Sequence, residues 1–196
     1  FTQDLTGSGA QNVIIAGRVL QPSANNPWLN SQITIFGWTN GQLVNQTSQW
    51  FTGTDNVIVG TEPSVKFGDF LGNGKIGMYV APSTDRAVYG PGVVFINNGT
   101  SFTRYNIPLP HPIDSYDSAI FNYGGVDNAV ALAYPYSEVI MGSTTNNFRA
   151  YAVSNVSGAS IASGNFLGTG APSFVVGQFG SSTVLGATPD ALVGFN

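Results

Sequence analysis

The only histidine of the chain, His111, is followed closely by the carboxylates of Asp114 and Asp117. A histidine with a nearby carboxylate can act as a general base. However, proline flanks His111 on both sides, which indicates a rigid connection, and the sequence has no Gly-x-Ser-x-Gly pattern for a nucleophile elbow. We therefore interpret His111 as a loop residue and expect no acid–base catalysis that depends on histidine.

Paired carboxylates are a second route to catalysis, because two acids that stand roughly 5 to 10 Å apart can hydrolyse a glycoside. The 10 acidic residues are scattered through contexts rich in Gly, Pro, Asn and Ser, which is typical of carboxylates that cap turns in solvent. Asp114 and Asp117 come nearest to a pair. These patterns favour a protein without a catalytic centre, although they leave open whether the chain is an enzyme.

Aromatic residues, which make up 12% of the chain, point to another kind of site. Exposed Trp and Tyr rings stack on sugar rings, and Asn and Gln side chains beside them can bond hydroxyl groups. Trp28, in the loop of residues 22–30, and Tyr89 are our candidate ligand-binding aromatics. We expect most of the other aromatic side chains to fill the space between sheets.

The composition favours an extracellular or cell-surface protein. Only 8% of the 196 residues are charged and 42% are apolar, whereas ordinary soluble domains carry about 25% charged residues. The net charge of −4 leaves no basic surface for nucleic acid, and the absence of cysteine excludes disulfides and thiolate chemistry. The apolar runs are far shorter than the ~20 residues of a membrane-spanning helix, so we expect no membrane insertion.

The elements that position these residues are predicted to be short β-strands. No helical periodicity persists, and runs rich in Val, Ile, Phe and Tyr recur between Gly, Asn and Pro. Asn40-Gly41 and Asn98-Gly99 indicate tight hairpins, which need positive φ. The predicted strands cover residues 12–19, 32–38, 43–51, 64–67, 77–81, 92–97, 101–107, 118–121, 128–134, 147–154, 160–163, 173–178 and 191–195.

A glycine-centred loop that leads into an apolar run occurs four times, at residues 4–12, 69–77, 122–128 and 165–173. Spacings of this size indicate an array of similar units, here approximately 1–63, 64–117, 118–158 and 159–196. Each unit reads as a short strand, the loop, an apolar strand, a variable loop and a hairpin. This order predicts an all-β fold, a single β-propeller domain of four-stranded antiparallel blades. A β-sandwich and a β-solenoid are the alternatives.

Two copies of this pattern, VKFGDFLGNGKIGMYVA at 65–81 and ASIASGNFLGTGAPSFVVG at 159–177, resemble the FG-GAP or VCBS repeats of integrin-like propellers. In that family a strand leads into an Asp-x-Asn/Asp-x-Asp-Gly loop with a closing Asp, and the loop often holds calcium. Members commonly carry about seven blades. The resemblance, together with the start at Phe1 instead of Met, implies a piece of a larger propeller. A closed four-bladed ring is the alternative.

The resemblance also implies calcium ligands at positions one, three, five and nine of each loop. In the first loop these positions hold Asp4, Thr6, Ser8 and Asn12, a set with a single charge, and in the second loop Leu71 stands at one of them. Calcium prefers six to eight oxygen ligands with several carboxylates. We therefore expect metal-free loops, closed by bonds from backbone N–H groups to Asp and Asn side chains, and the first loop is the calcium candidate.

These patterns together predict a non-catalytic, extracellular or cell-surface propeller module that binds a protein or a glycan and needs no cofactor. The first alternative is a lectin-like or carbohydrate-active enzyme domain of a larger secreted protein. The second is a structural repeat of a surface filament or layer. All three functions rest on analogy between folds.

Overall fold

The computed structural model describes residues 1–19, 30–60, 63–81, 92–107, 114–134, 137–141, 148–153, 160–166, 172–177 and 184–187. Within these ranges the chain forms sixteen strands and one short helix, and all the strand pairs are antiparallel. The prediction of an all-β chain is confirmed. The strands belong to four separate sheets, here called sheets A, B, C and D in chain order.

Sheet A contains the first five strands, which are β1 (Thr2–Gln3), β2 (Asn12–Val19), β3 (Asn30–Thr39), β4 (Gln42–Asn45) and β5 (Val57–Val59). Strand β2 pairs with β3, and both β4 and β5 pair with β3 at opposite ends of it. A four-residue helix, α1 (Thr47–Trp50), lies between β4 and β5 in the chain. Sheet A therefore has five strands, one more than the blade predicted from the sequence.

The predicted strand over residues 43–51 is wrong beyond Asn45. The Oδ1 atom of Asn45 accepts a hydrogen bond from Thr47 N at 2.9 Å, which turns the chain out of the strand. The Oγ1 atom of Thr47 then accepts a hydrogen bond from Ile35 N at 2.9 Å. A helical turn thus bonds to the middle of β3 where a paired strand was expected.

Sheets B, C and D are meanders, in which each strand pairs with the next one along the chain. Sheet B contains β6 (Ser64–Gly68), β7 (Gly77–Ala81), β8 (Gly92–Asn97) and β9 (Phe102–Ile107). Sheet C contains β10 (Asp114–Tyr123), β11 (Val126–Tyr134), β12 (Ser137–Met141) and β13 (Arg149–Val153). Sheet D contains β14 (Ser160–Gly164), β15 (Ser173–Gly177) and β16 (Val184–Ala187).

The predicted strands at 12–19, 77–81 and 92–97 coincide with β2, β7 and β8, whereas β1, β5, β12 and β16 were not predicted.

The two predicted Asn-Gly hairpins differ in structure. Asn40 and Gly41 have φ values of 51° and 78° and form the expected two-residue turn between β3 and β4. Asn98-Gly99 belongs instead to a four-residue connection, because Asn97 pairs with Phe102. Of Asn98 and Gly99, only Gly99 has a positive φ, of 100°.

Sheet B is buried on both faces. Every residue of β7 and of β8 is buried, and successive side chains of a strand point to opposite faces. Met78, Val80, Val93 and Phe95 share one cluster with the core residues of sheet A. Tyr79, Ala81, Val94 and Ile96 share another with Ala129 of sheet C. Sheet B therefore lies between sheets A and C, whereas a sandwich of two sheets would cover only one face of each.

The first strands of sheets B, C and D lie next to one another, since β10 contacts both β6 and β14. The hydroxyl oxygens of Ser64 on β6 and Ser118 on β10 are 2.9 Å apart. On the other side of β10, Ser163 Oγ of β14 donates a hydrogen bond to Ile120 O. Sheets B, C and D are thus joined along their first strands.

The four glycine-centred loops occupy the same place in the four sheets. Each loop joins the first strand of its sheet to the second, β1 to β2, β6 to β7, β10 to β11 and β14 to β15. The recurrence in the sequence therefore corresponds to a recurrence in the structure.

Candidate functional site

The loops of residues 4–12 and 69–77 share one hydrogen-bond geometry. In each, the leading aspartate accepts a hydrogen bond through Oδ2 from the N–H group five residues later, at 2.6 Å from Gly9 N to Asp4 and at 2.6 Å from Gly74 N to Asp69. The glycines three and five residues after each aspartate have φ values between 66° and 86°. Because only glycine adopts such φ values without strain, the glycine spacing and the closing aspartate form one device.

The Asp4 carboxylate is surrounded by donors. Its Oδ1 atom accepts hydrogen bonds from Thr6 N at 3.1 Å and from Gly7 N at 2.8 Å, while Oδ2 accepts the bond from Gly9 N. The bond from Gly9, assisted by those from Thr6 and Gly7, holds the pKa of the Asp4 carboxyl below its usual range. The loop is therefore built around an ionised carboxylate.

Three of the four candidate calcium ligands come together, and the fourth does not. Thr6 Oγ1 lies 3.1 Å from Asp4 Oδ1 and 2.7 Å from Ser8 Oγ. Asn12 is buried, and its Oδ1 accepts a hydrogen bond from Leu5 N at 3.3 Å. A calcium ion here would share the Asp4 oxygens with the N–H groups that donate to them and would find a single carboxylate, whereas calcium usually has several.

Elsewhere in the described residues, no three His, Cys, Asp or Glu side chains are grouped so that they can hold a metal ion. In the second loop, Leu71 packs against the core between sheets B and C. An apolar side chain in that position offers no ligand. Calcium binding in the first loop, which the family resemblance implies, stays a prediction.

The third loop is a tight hairpin whose closing residue reaches the neighbouring sheet. Gly124 and Gly125 form its turn, with φ values of 65° and 82°. Asp127 Oδ2 accepts a hydrogen bond from Asp69 N at 2.7 Å, and Asp127 N donates one to Asp69 O at 2.9 Å. Asn122 Nδ2 donates to the other carboxylate oxygen at 3.0 Å. Asp127 thus joins the loops of sheets B and C, a role that sequence reasoning missed.

Asp117, one of the two candidate catalytic acids, lies where sheets B, C and D meet. A β-bulge between Ser115 and Asp117 interrupts the register of β10. The Oδ1 atom of Asp117 accepts a hydrogen bond from Ser118 N at 2.8 Å and lies 3.4 Å from Lys66 Nζ of β6. Its Oδ2 accepts a hydrogen bond from Ile161 N of β14 at 3.1 Å. Both carboxylate oxygens are therefore bonded, and Asp117 links β10 to β6 and β14.

Several candidates from the sequence lie outside the residues that the structure describes. These are His111, Trp28, Tyr89, the predicted strand at 191–195 and the side chain of Asp114. Their proposed roles stay predictions. The fourth loop is described only up to Phe166 and again from Pro172.

A polar cavity of about 620 Å³ opens on sheet A beside α1. Amide and hydroxyl side chains line it: Gln32, Asn45, Thr47, Ser48, Thr52 and Asn56. Phe51 contributes a small apolar surface, and none of the lining residues that the structure describes carries a charge. The lining residues come from β3, from the end of β4, from α1 and from the segment that leads to β5. The sequence predicted a strand over residues 43–51 and gave no sign of a cavity there.

The walls of the cavity are held by hydrogen bonds to β3. Asn56, of which only 4% is exposed, donates through Nδ2 to Ile33 O at 2.9 Å, and Asn56 O accepts a bond from Ile33 N at 2.9 Å. Thr47 is fixed by its bond from Ile35 N. Fixed side chains of this kind give the cavity a preformed shape.

No known protein-family model matches the chain, and no curated protein is significantly similar to it in sequence. The resemblance to FG-GAP or VCBS repeats therefore rests on its motif and stays a prediction. Among the residues described above, no helix is long and apolar enough to cross a membrane.

Proposed function

We propose that this chain is a non-catalytic, extracellular or cell-surface binding module, in which sheets arranged as propeller blades present a site for a glycan or a protein. The observation that carries the proposal is the burial of sheet B on both faces, between sheets A and C. Blades stacked around an axis bury their sheets in this way.

Two further features support the propeller arrangement. The first strands β6, β10 and β14 lie next to one another, as the innermost strands of neighbouring blades do. The four glycine-centred loops also join the same two strands of each sheet. A frame of stacked sheets is rigid, and rigid frames suit proteins whose loops bind a ligand.

The chemistry of the described residues supports binding more than catalysis. Asp117 has both carboxylate oxygens engaged by donors from three strands, which leaves it poorly placed to transfer a proton. As far as its lining is described, the cavity beside α1 offers amides and hydroxyls and no ionisable group. Such groups hold a ligand in position, whereas general acid–base catalysis needs a titratable side chain.

An array of glycans and of secreted-protein ectodomains, probed with the labelled full chain, tests the proposal. We expect saturable binding to a defined glycan or protein, and loss of that binding when the chain is unfolded. Absence of saturable binding to every member of both sets would refute the proposed function. Turnover of a chromogenic glycoside by the purified chain would replace it with the carbohydrate-active alternative.

A further inference from the structure

We propose that the cavity beside α1 binds a neutral saccharide; this inference rests on the proposed function and names its site. The volume of about 620 Å³ lies within the range of roughly 300–1,000 Å³ that is typical of small-molecule sites. Most such sites are lined chiefly by apolar side chains. This one is lined chiefly by amides and hydroxyls, so its ligand is expected to be mainly polar.

The described lining of the cavity carries no charge, which favours an uncharged ligand. Phosphates, carboxylates and amines are recognised mainly by side chains of opposite charge, and among the described residues that line the cavity none is Asp, Glu, Lys, Arg or His. A neutral ligand rich in hydroxyl groups matches this lining better than an ion does. Saccharides are the most common ligands of that chemistry outside the cell.

Several lining groups have hydrogen-bonding capacity to spare. The side chains of Gln32, Ser48 and Thr52 make no hydrogen bond to the part of the chain that the structure describes, and Asn56 Oδ1 accepts none there. Amides and hydroxyls between them both donate and accept, as the hydroxyls of a sugar do. Asn56 also has a fixed orientation, because its Nδ2 is bonded to Ile33 O.

The backbone around the cavity argues against a peptide bound as an added strand. Strand addition needs free N–H and C=O groups along the receiving strand. On β3, the N–H and C=O groups of Ile33 are bonded to Asn56. The N–H group of Ile35 is bonded to Thr47, and its C=O group accepts a bond from Gln46 N at 2.8 Å. Side chains are therefore the groups that β3 and α1 offer to a ligand.

A small apolar surface, from Phe51, lies beside the polar groups of the cavity. Phe51 is 5% exposed, and its ring is held by Phe95 and Phe102, with ring centroids 5.2 Å and 5.4 Å away. Sugar rings carry C–H faces that pack on apolar side chains while their hydroxyls bond to polar ones. The small exposed part of Phe51 offers little of the first kind of contact, so Gln32, Ser48 and Thr52, which offer the second kind, carry most of the recognition.

The test is an NMR titration of the full ¹⁵N-labelled chain with three neutral sugars, maltotriose, cellotriose and tri-N-acetylchitotriose. Trigalacturonate, which is charged, is titrated for comparison. We expect at least one of these neutral sugars to shift the backbone amides around Ser48 and Thr52. Gln32→Ala and Thr52→Ala should each weaken binding by about tenfold, the effect of one lost hydrogen bond. Gln49→Ala is the matched control, because Gln49 lies on α1 and does not line the cavity.

If none of the three sugars shifts these amides, the saccharide site is refuted. If a sugar binds with equal affinity to the Gln32 and Thr52 variants, the site lies elsewhere, while the proposed binding function stands. A stronger response to trigalacturonate than to the neutral sugars would overturn the neutrality argument. Failure of the array experiment as well would remove the proposed function together with its site.

Discussion

The substitution Asp117→Asn tests whether this residue joins three sheets. Asparagine has the same shape as aspartate, but one of its two terminal groups donates instead of accepting. Asp117 Oδ1 faces Ser118 N, and Oδ2 faces Ile161 N. Whichever way the amide is turned, its NH₂ group faces a backbone N–H group, and one of the two hydrogen bonds is lost.

The expected loss of stability follows from the exposure of these groups. A buried donor without a partner costs about 1–3 kcal/mol, and the lower half of this range applies because 26% of the Asp117 side chain is exposed. The ion pair with Lys66, whose own side chain is 37% exposed, adds about 0.5 kcal/mol. We expect Asp117→Asn to lower the free energy of unfolding by about 2 kcal/mol, or the Tm by about 4–8 °C.

Urea unfolding followed by far-UV circular dichroism measures this loss, since a change in midpoint at constant slope reports stability alone. Lys66→Met is the control, because it removes the ion pair and leaves both backbone bonds, so it should cost about 0.5 kcal/mol. If Asp117→Asn lowers the free energy of unfolding by no more than Lys66→Met does, the hydrogen bonds from Ser118 N and Ile161 N contribute nothing to stability. Asp117 would then not link the strands.

Four further predictions concern the loops and the boundary between sheets A and B. Gly72→Ala should cost about 1–2 kcal/mol more than Gly74→Ala, because both positions have positive φ but an added Cβ comes within 2.7 Å of Gly125 O only at position 72; equal urea midpoints would contradict this. The lowered pKa of Asp4 means that its stabilisation is present above about pH 4 and is lost as the pH falls through the folded-state value, so the acid sensitivity of the urea midpoint should decrease in Asp4→Asn. Calcium should leave the Tm unchanged, and a rise with calcium but not with magnesium would reverse our interpretation of the first loop. Arg104→Met should cost about 1.5–3 kcal/mol in urea unfolding, because the guanidinium donates at 2.6 Å to Val57 O in β5 and at 2.9 Å to Asp55 O just before it. Arg104→Lys should restore only part of this loss.

The features predicted well from the sequence depend on neighbours along the chain. The apolar runs bounded by Gly and Asn mark β2, β7 and β8 correctly, because their side chains are suited to burial whichever sheet covers them. The closure of the first two loops is equally local. Asp4 and Asp69 bond to N–H groups only a few residues ahead, and this geometry needs nothing beyond the glycine spacing.

The features missed by sequence reasoning depend on residues far apart. Asp117 bonds to Ile161 N, 44 residues later, and Asp127 Oδ2 to Asp69 N, 58 residues earlier. The helix α1 replaces a predicted strand because Thr47 finds its partner on β3. In each case the side chain alone is compatible with several partners, so the sequence pattern does not choose one.

The sequence by itself determined the β class, the position of most strands and the recurrence of one Asp-Gly turn, since these follow from side-chain periodicity and from backbone conformations that only glycine adopts readily. The tertiary structure decided that sheets A and C cover the two faces of sheet B. It also placed Asp117, a candidate catalytic acid, where it links three strands, and it formed the polar cavity beside α1. These outcomes depend on hydrogen bonds and packing between distant segments, and their partners are chosen only when the sheets come together.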